Sequence, residues 1–379
     1  MEILLGKTLT ELQEVALSVG LQKFAGKQLA QWLYVQRVTD FDEMTNISLK
    51  GREALKARYS IGRHAPVREA ISQDGTRKYL FEITTPPQNS QQPTANSQKP
   101  IANSQKPTAN YVESVYIPED DRATLCVSSQ AGCKMGCRFC MTGSLGFHGH
   151  LSTSEIINQI FEIDSIALTN NIAPLSNIVY MGEGEPMDNL DNVLRSLEIM
   201  TADYGCAWSP KRITVSTVGI PTMKRFLEES ECHLAVSLHN PFPLERADIM
   251  PAEKMMSITD VVALIKQYDW THQRRVSFEY ICWEGMNDTP RHAKELLRLL
   301  KGLNCRINLI RFHQGIDDVK PSRNNSFLFK SSNEDTMVWL RDYLTSNGLT
   351  TTIRRSRGED ILAACGMLVN ALKGPSKMF

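Results

Sequence analysis

From residue 119 onward, short β-branched apolar runs alternate with helical stretches, and this alternation restricts the architecture more than any other feature of the chain. ATLCVSS, NIVYM, RITVST, LAVSL, VSFEYIC and RINLIRF read as strands, with helical text such as STSEIINQIFEIDSIAL between them. Strands joined through crossover helices pair in parallel. Six such units predict an α/β fold, a partial (β/α)6 barrel over residues 119–358, whose chemistry gathers where strands end and loops begin. Ser152 and Glu155 form a capping box for the helix that follows the first of these strands.

The flanking segments differ in character. Residues 1–65 read as a helical module, with Thr10 before an apolar-periodic run and further periodic text in FAGKQLAQWLYVQ and SLKGREALKARY. Its interleaved Lys27, Trp32, Arg37, Lys50, Arg52, Lys56 and Arg58 suit either a packing appendage or a helix-hairpin-helix-like surface that follows a phosphate backbone. Residues 66–118 read as a β-hairpin extension turning at Asp74-Gly75. It is interrupted over 86–110 by the tandem heptads NSQQPTA, NSQKPIA and NSQKPTA. With so little to bury, this insertion is expected to be disordered, and a proline in each heptad excludes a coiled coil. Residues 359–379 form a C-terminal segment carrying Cys365.

Lys plus Arg and Asp plus Glu number 42 each in the 379 residues, so a polyanionic partner must be held by local patches instead of the overall field. Nine cysteines, an odd number, do not read as a disulfide framework, and their spacings point to metal binding or catalysis in a reducing compartment, taken to be the cytoplasm. The N-terminus lacks the basic start and unbroken apolar stretch of a signal peptide, and no run approaches a membrane span.

Cys133, Cys137 and Cys140 form Cys-x3-Cys-x2-Cys, with Phe139 before the last and no fourth cysteine nearby. A four-iron cluster ordinarily takes four thiolates, so three from one loop leave an iron open to a non-protein ligand. The spacing resembles the radical S-adenosylmethionine (SAM) enzymes. The other reading is structural zinc, with Cys126 or Cys365 as the fourth ligand.

Several residues fall at strand ends, where ligand contacts collect. GEGEP (182–186) offers close backbone approach at its glycines and a hydrogen-bond acceptor at Glu185, although a tight turn explains it equally. Ser216 closes the third strand, Ser237-Leu238-His239 the fourth, and His313 follows the sixth. Cys206, Cys232, Cys282 and Cys305 read as small buried hydrophobes. Cys365 differs, because Arg354, Arg355 and Arg357 precede it and positive charge favours a thiolate. The same arginines are candidate phosphate contacts, with paired surface charge as the alternative.

RATLCVSSQAGCKMGCRFCMTGSLGF, GEGEPMDN, ITVSTVG, SLHNP, INLIRFH and RGEDILAACG, in order between about residue 5 and 372, together resemble the RlmN family of adenine-C2 methyltransferases of ribosomal and transfer RNA. The resemblance implies that Cys133, Cys137 and Cys140 hold one [4Fe-4S] cluster whose open iron binds SAM. It assigns SAM contacts to Gly184, Glu185, Ser216, Ser237, Leu238 and His239. His313 stands where many relatives carry asparagine. Adenine C2 is electron-poor, so direct transfer from a sulfonium would join two electrophiles, and the family follows a radical route.

By that resemblance Cys365 is first methylated by one SAM, and a radical from a second SAM removes hydrogen from the methyl group. The carbon radical adds to C2, tethering enzyme to RNA. The adduct then loses a proton, accepted by Glu113, and an electron, and Cys126 attacks the Cys365 sulfur, releasing the methylated base and leaving a transient disulfide. The implied substrates are adenosine 2503 of 23S ribosomal RNA and adenosine 37 of transfer RNAs. A one-electron reductant such as flavodoxin, no membrane and a monomeric enzyme are also expected. The alternatives are Cfr-type methylation at C8 of the same ribosomal adenosine, and a non-catalytic iron–sulfur RNA-binding protein.

Overall fold

The computed structural model describes residues 1–83, 111–270, 274–313, 329–364 and 366–368, together with the backbone of Ser376–Met378. The heptad repeat lies outside the described residues, as does Cys365.

An eleven-stranded sheet organises the molecule. Its strands are β1 (Arg68–Ile71), β2 (Arg77–Glu82), β3 (Tyr111–Pro118), β4 (Ala123–Cys126), β5 (Asn177–Tyr180), β6 (Ile213–Thr217), β7 (His233–Ser237), β8 (Val276–Cys282), β9 (Cys305–Arg311), β10 (Thr350–Ile353) and β11 (Ser376–Met378). From β4 to β10 every neighbouring pair is parallel and in chain order. The six expected strands are all present. A seventh, β10, joins the far edge; TTTI is too short to announce itself by periodicity.

On the other side β3, β2 and β1 continue the sheet antiparallel, and the turn at Asp74-Gly75 closes β1 onto β2. β11 pairs antiparallel with β1 and so brings the end of the chain back to this extension.

The capping box of the helix Thr153–Thr169 forms as expected, with Ser152 Oγ accepting from Glu155 N and the Glu155 carboxylate accepting from Ser152 N at 2.8 Å. Such a cap contributes about 1 kcal/mol. The first helix, by contrast, starts earlier than Thr10 indicated. It spans Leu9–Ser18, with Thr8 as N-cap and Glu11 completing its own box.

One apolar core joins the N-terminal module to the barrel, running from Leu4, Leu12 and Tyr34 to Ile156 and Phe161. Tyr34 meets Phe161 edge-on, and the Arg37 guanidinium lies 4.7 Å over the same ring while pairing with Asp164. Burying one such aromatic side chain stabilises by roughly 1.5–3 kcal/mol. Arg37 is therefore a packing residue. Arg52 and Lys56 are drawn to Asp42, whereas Lys27 and Lys50 stay exposed.

Candidate active site

A cavity of about 750 Å³ is lined by residues of the parallel strands and the loops that follow them. Cys133, Cys137 and Cys140 line it at the carboxyl end of the strands, together with Cys126, Gly184, Glu185, Ser216, Ser237, His239 and His313. Residues as far apart in sequence as Cys126 and His313 meet here because they lie at strand ends or in the loops that follow them.

The cysteine loop is held by its backbone. Cys133 N donates to Gly146 O at 2.9 Å, Cys140 N to Cys137 O at 3.1 Å and Arg138 N to Ile249 O at 2.9 Å. Phe139 packs its ring 5.0 Å from that of His239 and 5.1 Å from that of Trp283, so the aromatic before the last cysteine ties the loop to the end of β7. Burial pushes all three thiols up, Cys133 to about 12.

The GEGEP turn is more than a turn. Gly184 has φ +96°, and a Cβ there would stand 2.5 Å from Gln130 Cβ, so only glycine fits. Gln130 Oε1 accepts from Glu185 N at 2.8 Å, while its amide donates to Asp188 at 2.7 Å. The Glu185 carboxylate accepts from Met187 N at 3.0 Å and Val218 N at 2.8 Å, and burial raises it to about 7. Two backbone donors thus hold Glu185 in place, with its carboxylate still on the cavity wall.

Glu183, which the motif left unassigned, is buried as well. It accepts from Glu113 N at 2.9 Å and Gly132 N at 3.2 Å, and burial followed by the charge of Glu113 lifts it to about 8. It links β3 to the residue preceding Cys133. No local signal could single it out, because its partners are remote in sequence.

His239 occupies left-handed backbone at φ +53°. Its Nδ1 accepts from Ile281 N at 3.0 Å, which leaves the proton on Nε2. Burial, with the charge of Arg246 second, holds it down at about 3, so the ring is a neutral donor. Arg246 is itself fully buried, paired with Glu253, and donates to the carbonyls of Val218, Ser237 and Leu238 at 2.6, 2.8 and 2.9 Å. That clamp shapes the end of β7, and the sequence reading missed it.

Leu238 does not line the cavity; its side chain is fully buried in the core, since alternation along β7 turns it away from Ser237. His313 is on the cavity wall, with Nε2 2.7 Å from Ser356 Oγ and Nδ1 3.5 Å from Glu359. Glu113 is fully buried and is not part of the wall, but it shares a face of β3 with Val115 and Ile117, which are. Cys126 closes β4 directly opposite Val115. Of the residues beside Cys365, Ala364 and Gly366 line the cavity, Gly366 O accepts from Met141 N at 2.9 Å, and Leu368 O accepts from Thr142 Oγ1 at 3.0 Å.

Comparison with known proteins agrees with this geometry. The model of the ribosomal RNA large subunit methyltransferase N-terminal domain matches residues 3–61, and that of the radical SAM superfamily matches 127–300. A probable dual-specificity RNA methyltransferase RlmN of Bacteroides fragilis is 53% identical over 97% of this chain and 96% of its own. The RlmN of Syntrophus aciditrophicus is 36% identical over 95% and 94%. The chain belongs to the RlmN family. The crystal structure of a radical SAM methyltransferase from Sphaerobacter thermophilus superposes with a TM-score of 0.83 at 32% identity, covering 98% of this chain and all of that one.

An RlmN enzyme uses a [4Fe-4S] cluster and SAM, and the donors present fit both. Among the described residues no three His, Cys, Asp or Glu side chains gather tightly enough to share one metal ion. Three thiols from one loop facing one cavity suit a four-iron cluster with one iron left open. The buried thiols also need a cation to ionise, which cluster iron supplies. Cys232 and Cys282 are buried in the core as expected, while Cys206 and Cys305 are half-buried and pack against it.

Among the described residues no helix is long and apolar enough to cross a membrane. Of the three arginines before Cys365, Arg354 stands 3.5 Å from Glu279 and Arg357 3.9 Å from Asp74, which leaves Arg355 exposed.

Proposed function

We propose that this RlmN-family enzyme methylates C2 of adenosine in ribosomal and transfer RNA, in the cytoplasm and as a monomer fed by a one-electron reductant of the flavodoxin kind. One observation carries the reading: the cysteine triad, Cys126 and the residues flanking Cys365 face a single cavity. When bound, the cluster and SAM supply the methyl group and a hydrogen-abstracting radical. Cys133, Cys137 and Cys140 hold the cluster. Glu185, Ser216, Ser237 and neutral His239 would hold SAM, with Nε2 of the histidine as a hydrogen-bond donor, Leu238 through its backbone and His313 from the wall just past β9.

Cys365 carries the methyl carbon and delivers it to the base. Glu113 takes the proton that leaves C2. With that proton the tethered adduct gives one electron back to the one-electron carrier; the Cys126 thiolate then attacks the Cys365 sulfur, so that an S–S bond forms as the S–C bond breaks, and the released methylene carbon takes up a proton to become the methyl group. External thiol reduces the disulfide before the next turnover. Residues 1–65 serve as an accessory RNA-binding module, residues 66–118 as a β extension and residues 119–358 as the catalytic core, with 359–379 presenting Cys365.

The test is mass spectrometry of nucleosides after anaerobic incubation of the reconstituted protein with SAM, reductant and protein-free ribosomal or transfer RNA, beside a Cys365→Ala variant. 2-Methyladenosine is expected from the intact protein alone. 8-Methyladenosine would transfer the enzyme to the Cfr-type reaction, and intact SAM cleavage with no methylated adenosine would end the RNA-methylating reading.

A further inference from the structure

The cavity has a second end, opposite the cysteines. At the amino ends of the parallel strands its wall is formed by Lys211 just before β6, His233 at the start of β7, Arg275 just before β8 and Arg306 in β9. Arg275 lies on the same side of β8 as the cavity-lining Ser277, Glu279 and Ile281. Arg306 shares a side of β9 with Asn308 and Ile310. β-Strand alternation therefore points both guanidinium stems into the same opening. Pairing of Ser277 with Arg306 and of Thr214 with His233 brings these strand starts into one row.

Lys211, Arg275 and Arg306 are exposed, and among the described residues none has an ion pair or side-chain hydrogen bond. The acidic group in the same rim is Glu119, which is paired with Arg122. In a chain with equal numbers of basic and acidic residues, three uncompensated cations around one cleft mouth concentrate positive potential where field lines are focused. Between rim and cysteine end the wall carries Asn177, Thr214, Ser277 and Asn308. The six-residue climb from Arg275 to Ile281 spans roughly 20 Å.

We propose that this rim is where the RNA strand seats, its phosphates on Lys211, Arg275 and Arg306, with the target base extruded inward along the polar wall toward Cys126. The proposal rests on the RNA-methylating reading and adds the direction of entry: the nucleic acid comes from the end opposite SAM. Chemistry on a base requires it to leave its stack. Phosphate contacts hold the strand in register without reading sequence.

The test measures affinity of the reconstituted holoenzyme for a protein-free ribosomal RNA hairpin across a salt series. The triple variant Lys211→Gln/Arg275→Gln/Arg306→Gln is compared with Lys224→Gln/Lys294→Gln/Lys301→Gln, which removes equal charge from exposed positions outside the cavity wall. The rim variant is expected to weaken binding about tenfold or more at 0.1 M salt and to flatten the log–log salt slope by about 2, with the outer variant close to wild type. SAM cleavage to 5′-deoxyadenosine should persist in both.

Equal affinity and slope in the two variants would overturn the proposal. So would unchanged RNA affinity with slowed reduction, which would make the rim a dock for an acidic redox protein. A wild-type enzyme that binds RNA without forming 2-methyladenosine would strike the catalytic reading instead, and affinity alone would still decide the rim.

Discussion

Lys78 Nζ stands 2.9 Å from the Glu113 carboxylate, and neither side chain has any exposed surface. The same ammonium reaches the carbonyl of Leu362 at 3.4 Å, in the segment that leads to Cys365. One buried cation thus ties the proposed proton acceptor to the C-terminal segment. Removing one partner of a buried pair leaves an uncompensated charge and costs about 3–5 kcal/mol. Lys78→Met should therefore lower thermal stability sharply, and Lys78→Met/Glu113→Gln should recover much of the loss. A double variant no more stable than Lys78→Met would show that the ion pair is not what the substitution breaks.

His239 makes a pH prediction. Its folded value of about 3 lies below the unfolded value of about 6.5, so between them the unfolded chain binds the additional proton. Stability from this group is complete above pH 6.5 and is lost as pH falls toward 3, at up to about 1.4 kcal/mol per unit. His239→Asn, which tolerates the left-handed backbone, should show a shallower acid limb in urea unfolding at pH 4.5 and 6.5. An identical limb would mean the ring is not buried as neutral imidazole.

At Gly184 the expectation is steric. Alanine would force both a positive φ and a Cβ 2.5 Å from Gln130 Cβ, pushing Gln130 off Glu185 N. Gly184→Ala should lose about 1–3 kcal/mol of stability and weaken SAM binding in equilibrium dialysis of the cluster-loaded protein. Unaltered SAM affinity would mean the turn does not shape the SAM end.

Cys126 is almost wholly buried, yet it borders the cavity. If it releases the product, Cys126→Ala should still load methyl on Cys365 and join it to RNA, then stop. Denaturing gels should show protein carrying covalently bound nucleotide that persists after nuclease treatment. Free 2-methyladenosine in normal yield from that variant would remove Cys126 from the mechanism.

Local signals carried far. The capping box at Ser152 and Glu155, the turn at Asp74-Gly75 and the cysteine spacing each involve residues a few positions apart, whose geometry the backbone imposes directly. The six strands were legible because β-branched apolar runs of four or more residues have few alternatives once helices separate them. β10 escaped notice because TTTI is short. Thr10 stood in for Thr8 because capping depends on which backbone N–H groups are left over, and that shifts with the helix start.

Residue chemistry and chain order were thus enough for the fold class, the cysteine triad and the family. The pairing of charges was not. For Arg354 and Arg357 the sequence left phosphate contact and paired surface charge both open, and the fold sets Glu279 and Asp74 beside them. Lys211, Arg275 and Arg306 looked unremarkable until three strand starts placed them on one rim. Likewise Lys78 and Glu113 are 35 positions apart, and alternation across two paired strands brings them together. Burial and Coulomb energy depend on distance through space, and for these residues that distance is set by strand register, which no local run of sequence encodes.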